Sequence, residues 1–112
     1  SIGDTVISKN TMIDNLVHIA HNVKIGENAI IAAMTGISGS TEIGKNVMIG
    51  GQVGISGHVK IGNNVKIAAK SGIMKDIPDN SNVGGYPAEN IIDWHRSTLL
   101  LRKLINEKKN RT

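Results

Sequence analysis

The four histidines at 18, 21, 58 and 95 are the side chains best suited to taking and returning a proton near neutral pH. There is no cysteine, which excludes disulfides and thiolate metal sites. His21 is marked out by its spacing, because Gly39 and Gly57 follow it at successive intervals of 18 residues. In a chain that returns to the same place every 18 residues, a glycine stands directly above that histidine. The glycine leaves an open groove and a bare backbone N–H beside a titratable base, an arrangement suited to general-base chemistry. His58 reads equally well as a second polar contact to the reacting group or as an exposed turn residue. His18 and His21, three apart, raise zinc, but a zinc site needs three converging ligands and these two fall on a strand face and a corner. His95 reads as a surface residue. Lys75 continues the His21 column upward and reads either as a contact for an anionic partner or as a solvated lysine.

What must position these residues is a repeat. From Ile7 to Ile73 isoleucine recurs at every sixth position, and two residues before each later one stands a small or β-branched residue such as Val23, Ala29, Thr35 or Val47. Residues two apart point to one side of a strand. The rest of each hexad turns a corner, with Gly26, Gly44 and Gly62 and several asparagines to accommodate it. A six-residue period is the mark of a parallel β-helix, in which stacked coils build one continuous core. An α-helical period of 3.6 drifts off it within two turns.

Three hexads make an 18-residue triangular coil, and the corners then sort by character. One collects Gly26-Glu27-Asn28, Gly44-Lys45-Asn46 and Gly62-Asn63-Asn64, which is charged and solvated. The second collects Asp14-Asn15-Leu16, Ala32-Ala33-Met34, Gly50-Gly51-Gln52 and Ala68-Ala69-Lys70, mostly small and apolar, and predicts a packing surface for further copies of the chain. The third holds His21, Gly39, Gly57 and His58.

The chain opens inside the repeat with no polar cap over its first coil, so it is expected to be the C-terminal part of a longer protein or to have that end covered. After Ile73 comes a turn-rich stretch, then a helical pattern from Ala88 with Ile91, Trp94, Leu101, Leu104 and Ile105 as its apolar stripe and Pro87 at its start. The expected division is 1–86 for the β-helix and 87–112 for a helical extension that covers the open end of the column. The formal charge of +4 admits an acidic partner or a solubilising tail equally. Nucleic acid fits poorly, since no aromatic residues interleave with the basic ones. No apolar run reaches membrane-spanning length, so the chain reads as soluble and cytoplasmic.

The runs Ile19-Ala20-His21-Asn22, Ile37-Ser38-Gly39-Ser40 and Ile55-Ser56-Gly57-His58, with Gly84-Gly85-Tyr86-Pro87-Ala88 and Asp93-Trp94-His95-Arg96, resemble the UDP-3-O-acylglucosamine N-acyltransferases of lipid A biosynthesis in Gram-negative bacteria. These belong to the hexapeptide-repeat acyltransferases, and the resemblance spans nearly the whole chain. It implies an all-β solenoid, a left-handed parallel β-helix followed by a C-terminal α-helix, assembled as a homotrimer. It implies His21 as the general base, the Gly39 N–H as oxyanion donor and His58 as a second active-site histidine. Asp14, Asn15 and Asn22 become substrate contacts, the first two supplied across a subunit boundary. Lys75, Arg96, Arg102 and Lys103 become contacts for acyl carrier protein. The substrates implied are a UDP-acylglucosamine and a hydroxyacyl group on the carrier's phosphopantetheine, with no bound cofactor or metal. The family's N-terminal uridine-binding domain has no counterpart here. The alternatives are an acetyl-CoA-dependent hexapeptide acetyltransferase, a UDP-N-acetylglucosamine O-acyltransferase, a zinc hydratase and a non-catalytic β-helix scaffold.

Overall fold

The computed structural model describes residues 3–111. Twelve two-residue strands, from Val6–Ile7 to Gly72–Ile73, recur every six residues and form three parallel sheets. One stacks Val6–Ile7, Lys24–Ile25, Glu42–Ile43 and Lys60–Ile61. The second stacks Met12–Ile13, Ile30–Ile31, Met48–Ile49 and Lys66–Ile67, and the third His18–Ile19, Gly36–Ile37, Gly54–Ile55 and Gly72–Ile73. From Ile7 to Ile55 each isoleucine of the repeat pairs with the one 18 residues on, as Ile7 with Ile25 and Ile37 with Ile55, which is the triangular coil expected from the spacing.

The core is the column of inward positions. Val23, Ile25, Ile31, Ile37, Val47, Ile49, Val53, Ile55, Val65, Ile67 and Ile73 are all buried. Two threonines share that column without cost to it, because Thr35 donates to the Gly50 carbonyl at 3.1 Å and Thr41 to the Ser56 carbonyl at 3.0 Å. The last residue of each corner carries positive φ: Asn10, Leu16, Asn22, Asn28, Met34, Ser40, Asn46, Gln52, His58, Asn64 and Lys70 lie between 57° and 63°. The corner glycines serve a different need. Gly26 is not in the left-handed region, but a Cβ there would lie 2.5 Å from the Gly44 carbonyl oxygen of the next coil. Close stacking, not turn geometry, keeps it glycine.

Two expectations for the C-terminal part are corrected. The helix is Ile91–Asn110, starting beyond Ala88, with Asn90 as its N-cap accepting from the N–H groups of Ile92 and Asp93. Pro87 sits before it, in a cis Tyr86–Pro87 peptide. The helix does not cover the column, since none of its residues is buried. The end of the column is closed instead by Ile77, Val83 and Ala88 from the intervening segment, whose strand Asn82–Gly84 extends the second sheet beyond Lys66–Ile67. Only the helix's first turn packs, with the Trp94 ring against Gly84 and Gly85. The molecule measures 64 × 23 × 22 Å. A 20-residue helix is about 30 Å long, so it continues the long axis of the molecule. Among the described residues no helix is long and apolar enough to cross a membrane.

Candidate active site

The third corner brings His21, Gly39 and Asn22 together. His21 is exposed at the corner, and its ring lies over Gly39 of the next coil. A Cβ at Gly39 would stand 2.9 Å from Cε1 and 3.0 Å from Nε2 of that ring. Gly39 has no positive φ, so it is glycine because the imidazole occupies the space a methyl would need. The ring's other nitrogen, Nδ1, lies 3.2 Å from the side-chain amide of Asn22.

The backbone here differs from the charged corner. There the Lys45 N–H donates to Asn63 Oδ1 at 2.8 Å and the Asn63 N–H to Asp79 Oδ1 at 2.7 Å, each reaching a side chain one coil up. At the corresponding place in the His21 column the Gly39 N–H donates to no protein acceptor among the described residues. The Gly39 carbonyl is engaged, accepting from the His58 N–H at 3.1 Å, and the His21 carbonyl accepts from Ser40 N–H at 3.0 Å. A histidine edge and an unbonded backbone donor thus share one open place on the surface. That pair can move a proton and hold a developing negative charge on oxygen.

Beside this corner runs a hollow of about 370 Å³ on the outer face of the third sheet. Its floor is the column Gly36, Gly54 and Gly72, and His18 stands at its lower end. Ser38 and Ser56 edge it lower down and Met74 higher up, while the Tyr86 ring lies against Gly72 at the top. The lower end is therefore polar and the upper end apolar. Ser38 precedes Gly39 in the chain, so the polar end adjoins the His21 corner. Sequence reasoning missed this hollow, although its signal was present in glycines spaced 18 apart.

The other expected site residues are placed as follows. His58 is exposed with a φ of 61°, stacked in the column of Asn22 and Ser40, one residue along from the His21 column. Asp14 and Asn15 lie on the second corner, one strand before His21, where Asp14 Oδ1 accepts the Asn15 N–H at 2.7 Å. Within one protomer they do not join His21. Lys75 is exposed above the third corner, and Arg96, Arg102 and Lys103 are exposed along the projecting helix. His95 stacks on Trp94 with ring centroids 5.3 Å apart. Among the described residues no three His, Cys, Asp or Glu side chains converge as a metal set.

Comparison with known proteins follows the same lines. The profile of the bacterial transferase hexapeptide family (six repeats) matches residues 4–39 and 40–75. The chain is 54% identical over 104 residues to the UDP-3-O-acylglucosamine N-acyltransferase of Caulobacter vibrioides (strain NA1000 / CB15N), a match covering 93% of this chain and 31% of that protein. It is 56% identical over 108 residues to the enzyme of the same name from Rickettsia bellii (strain RML369-C), covering 96% of this chain and 32% of the relative. The chain therefore spans about a third of the length of the curated relatives it matches. Among solved structures it is similar to Neisseria gonorrhoeae serine acetyltransferase in complex with serine, with a TM-score of 0.67 and 28% identity over 78% of this chain and 39% of that one. A hexapeptide-repeat acetyltransferase from Vibrio cholerae O1 biovar eltor, complexed with acetyl coenzyme A, shares the fold at a TM-score of 0.58 and 19% identity, over 80% of this chain and 70% of that one.

Proposed function

Because the chain belongs to the bacterial hexapeptide-repeat transferases, we propose that its third corner is the centre of an N-acyl transfer in lipid A biosynthesis. In this reading a 3-hydroxyacyl group passes from acyl carrier protein to the 2-amino group of a UDP-3-O-acylglucosamine. The observation that carries the reading is the His21 ring lying over Gly39, whose N–H donates to no protein acceptor among the described residues. The names of the Caulobacter and Rickettsia relatives support the substrate.

The step balances with these residues alone. The amine nitrogen attacks the thioester carbonyl carbon, the new C–N bond forms, and the carbonyl oxygen becomes an oxyanion beside the Gly39 N–H. His21 Nε2 takes the proton that the nitrogen sheds. The C–S bond then breaks, and the imidazolium returns the proton to the departing phosphopantetheine thiolate. One preorganised donor of this kind is worth about 3 kcal/mol, and a positioned base about 10²–10⁴-fold in rate. The glycine-floored hollow suits the acyl chain, with its head near His18 and Ser38 and its tail toward Met74 and Tyr86. His58 supplies a second polar contact.

Support for a homotrimer comes from the second corner. Leu16 is 80% exposed and Met34 54%, flanked by Ala32 and Ala33, an apolar strip that other copies would bury. Assembly through that corner would carry Asp14 and Asn15 toward a neighbour's His21. Exposed Lys75, Arg96, Arg102 and Lys103 suit an acidic carrier protein, in a cytoplasmic setting where such carriers supply acyl groups.

A second reading, acetyl transfer from coenzyme A to a small amine or alcohol, is favoured by the likeness to serine acetyltransferase. One assay separates the two. The chain, alone and joined behind the N-terminal part of the Caulobacter relative, is given UDP-3-O-acylglucosamine with either 3-hydroxyacyl carrier protein or acetyl-CoA. The proposal expects amide product from the carrier-bound donor, with a KM for the carrier that rises with salt as screening shortens from about 10 Å at 0.1 M to about 3 Å at 1 M. Product from acetyl-CoA alone would overturn it, and a salt-independent KM would remove the basic residues from the docking role.

A further inference from the structure

We infer that Asn22 is a positioning residue for His21: its side-chain oxygen accepts the Nδ1–H and so fixes the ring in the tautomer whose lone pair is on Nε2. The first observation is the contact itself, 3.2 Å between the carboxamide and Nδ1. Among the described residues it is the ring's one hydrogen-bond partner.

The turn alone does not call for asparagine at this place. The same positive-φ position is held by Leu16, Met34, Ser40, Gln52, His58 and Lys70 elsewhere in the solenoid. Nor does Asn22 behave like the other turn asparagines. In the charged corner Asn28, Asn46 and Asn64 each donate to the side-chain oxygen of the asparagine above, at 3.2 Å per step. Above Asn22 stands Ser40, and the amide is directed to the histidine of its own corner instead.

The orientation of the amide follows from chemistry, because its two ends have the same shape and exchange roles when it turns over. With nitrogen toward the ring, Nδ1 has to be the acceptor, and the proton of a neutral imidazole then sits on Nε2, the atom beside Gly39. The far end of the amide has no hydrogen-bond partner among the described residues in either orientation, so the choice rests on the ring, and the reading of His21 as base requires a free lone pair on Nε2. Turned over, Oδ1 receives the Nδ1–H, and Nε2 faces the Gly39 place with its lone pair free. Asp4, Lys24 and Glu42 line the hollow around Asn22, His18 stands on the preceding strand and His58 two coils up. None of them is hydrogen-bonded to the ring.

The inference deepens the reading of His21 as base and rests on it, yet it can be read without any substrate. The ¹⁵N-labelled chain, held at a pH where His21 is neutral, is examined by long-range ¹H–¹⁵N correlation, which distinguishes an Nδ1–H from an Nε2–H ring. The native protein is expected to show His21 as Nδ1–H. Asn22→Gly keeps the positive φ and Asn22→Ser installs the residue found one coil up, and both are expected to let the ring revert to Nε2–H. Asn22→Asp is expected to move the acid limb of the rate profile to higher pH, because a carboxylate favours the imidazolium. A native ring found as Nε2–H, or one whose tautomer is the same in all the variants, would overturn the inference. Neither result touches the separate question of whether His21→Ala loses turnover.

Discussion

The corner at Gly44-Lys45-Asn46 and the corner at Ser38-Gly39-Ser40 are the same turn, built six residues apart on the same coil, and they end in different chemistry. In both, the last residue takes a positive φ and its N–H bonds to the coil below, Asn46 to the Glu27 carbonyl and Ser40 to the His21 carbonyl. In the first, the middle N–H is bound by Asn63 Oδ1 and the asparagines run as a ladder up the column. In the second, the middle N–H is left bare and the ladder is absent. The bare donor of the second corner is one that a reacting oxygen can use. Middle N–H groups are also unbonded at Glu27, Ala33, Gly51 and Gly57 among the described residues, so what singles out Gly39 is the His21 ring set beside its donor.

Substitutions can break that contrast and, His21 itself aside, the largest effect is expected at Gly39. Gly39→Ala places a Cβ against the His21 ring, so the ring must move off its place above the bare N–H. A loss of kcat of about 10²–10³-fold is expected, within the range for misplacing a positioned general base, with melting little changed. Steady-state kinetics alongside thermal unfolding checks it. Ala33→Glu comes next: a charge on the apolar second corner is expected to turn a trimer into folded monomer at micromolar concentration, as read by light scattering. In the charged corner the balance reverses. Gly44→Ala sets a Cβ 2.8 Å from the Gly62 carbonyl group, and overpacking of this kind costs about 1–3 kcal/mol. A lowered Tm with kcat intact is expected. The smallest effect belongs to Asn28→Gly, which keeps the positive φ and removes the lowest rung of the exposed ladder for about 0.5–1.5 kcal/mol, measured by denaturant titration.

The column was legible because a strict period carries its own geometry. A six-residue spacing of isoleucine and an 18-residue sorting of corners determine the strands, the core and which residues stack, so His21 below Gly39 could be read without coordinates. What could not be read depends on reach and direction. By spacing Gly26 reads as a turning residue and Gly39 as the opening of a groove, whereas Gly26 is kept small by the Gly44 carbonyl of the coil above and Gly39 by the His21 ring of the coil below. Gly39 to alanine consequently becomes a severe change at a position where φ alone would tolerate it. The apolar stripe of the helix predicted burial over the column's end, but Ile77, Val83 and Ala88 already fill that place, and periodicity does not say which surface a stripe meets. Nor does spacing say that the Asn22 amide turns to the ring while its counterparts turn to one another.

The central claim is that His21 is the base of the third corner, and replacing it measures this most directly. The substitution is made in the chain joined to the N-terminal part of its relative, and turnover with the carrier-bound donor is compared before and after. His21→Ala is expected to lower kcat by about 10²–10⁴-fold while the oligomeric state and Tm are retained, since an exposed corner side chain contributes nothing to the buried column. Near-normal turnover in a protein of unchanged assembly would contradict the account and leave His21 a turn residue.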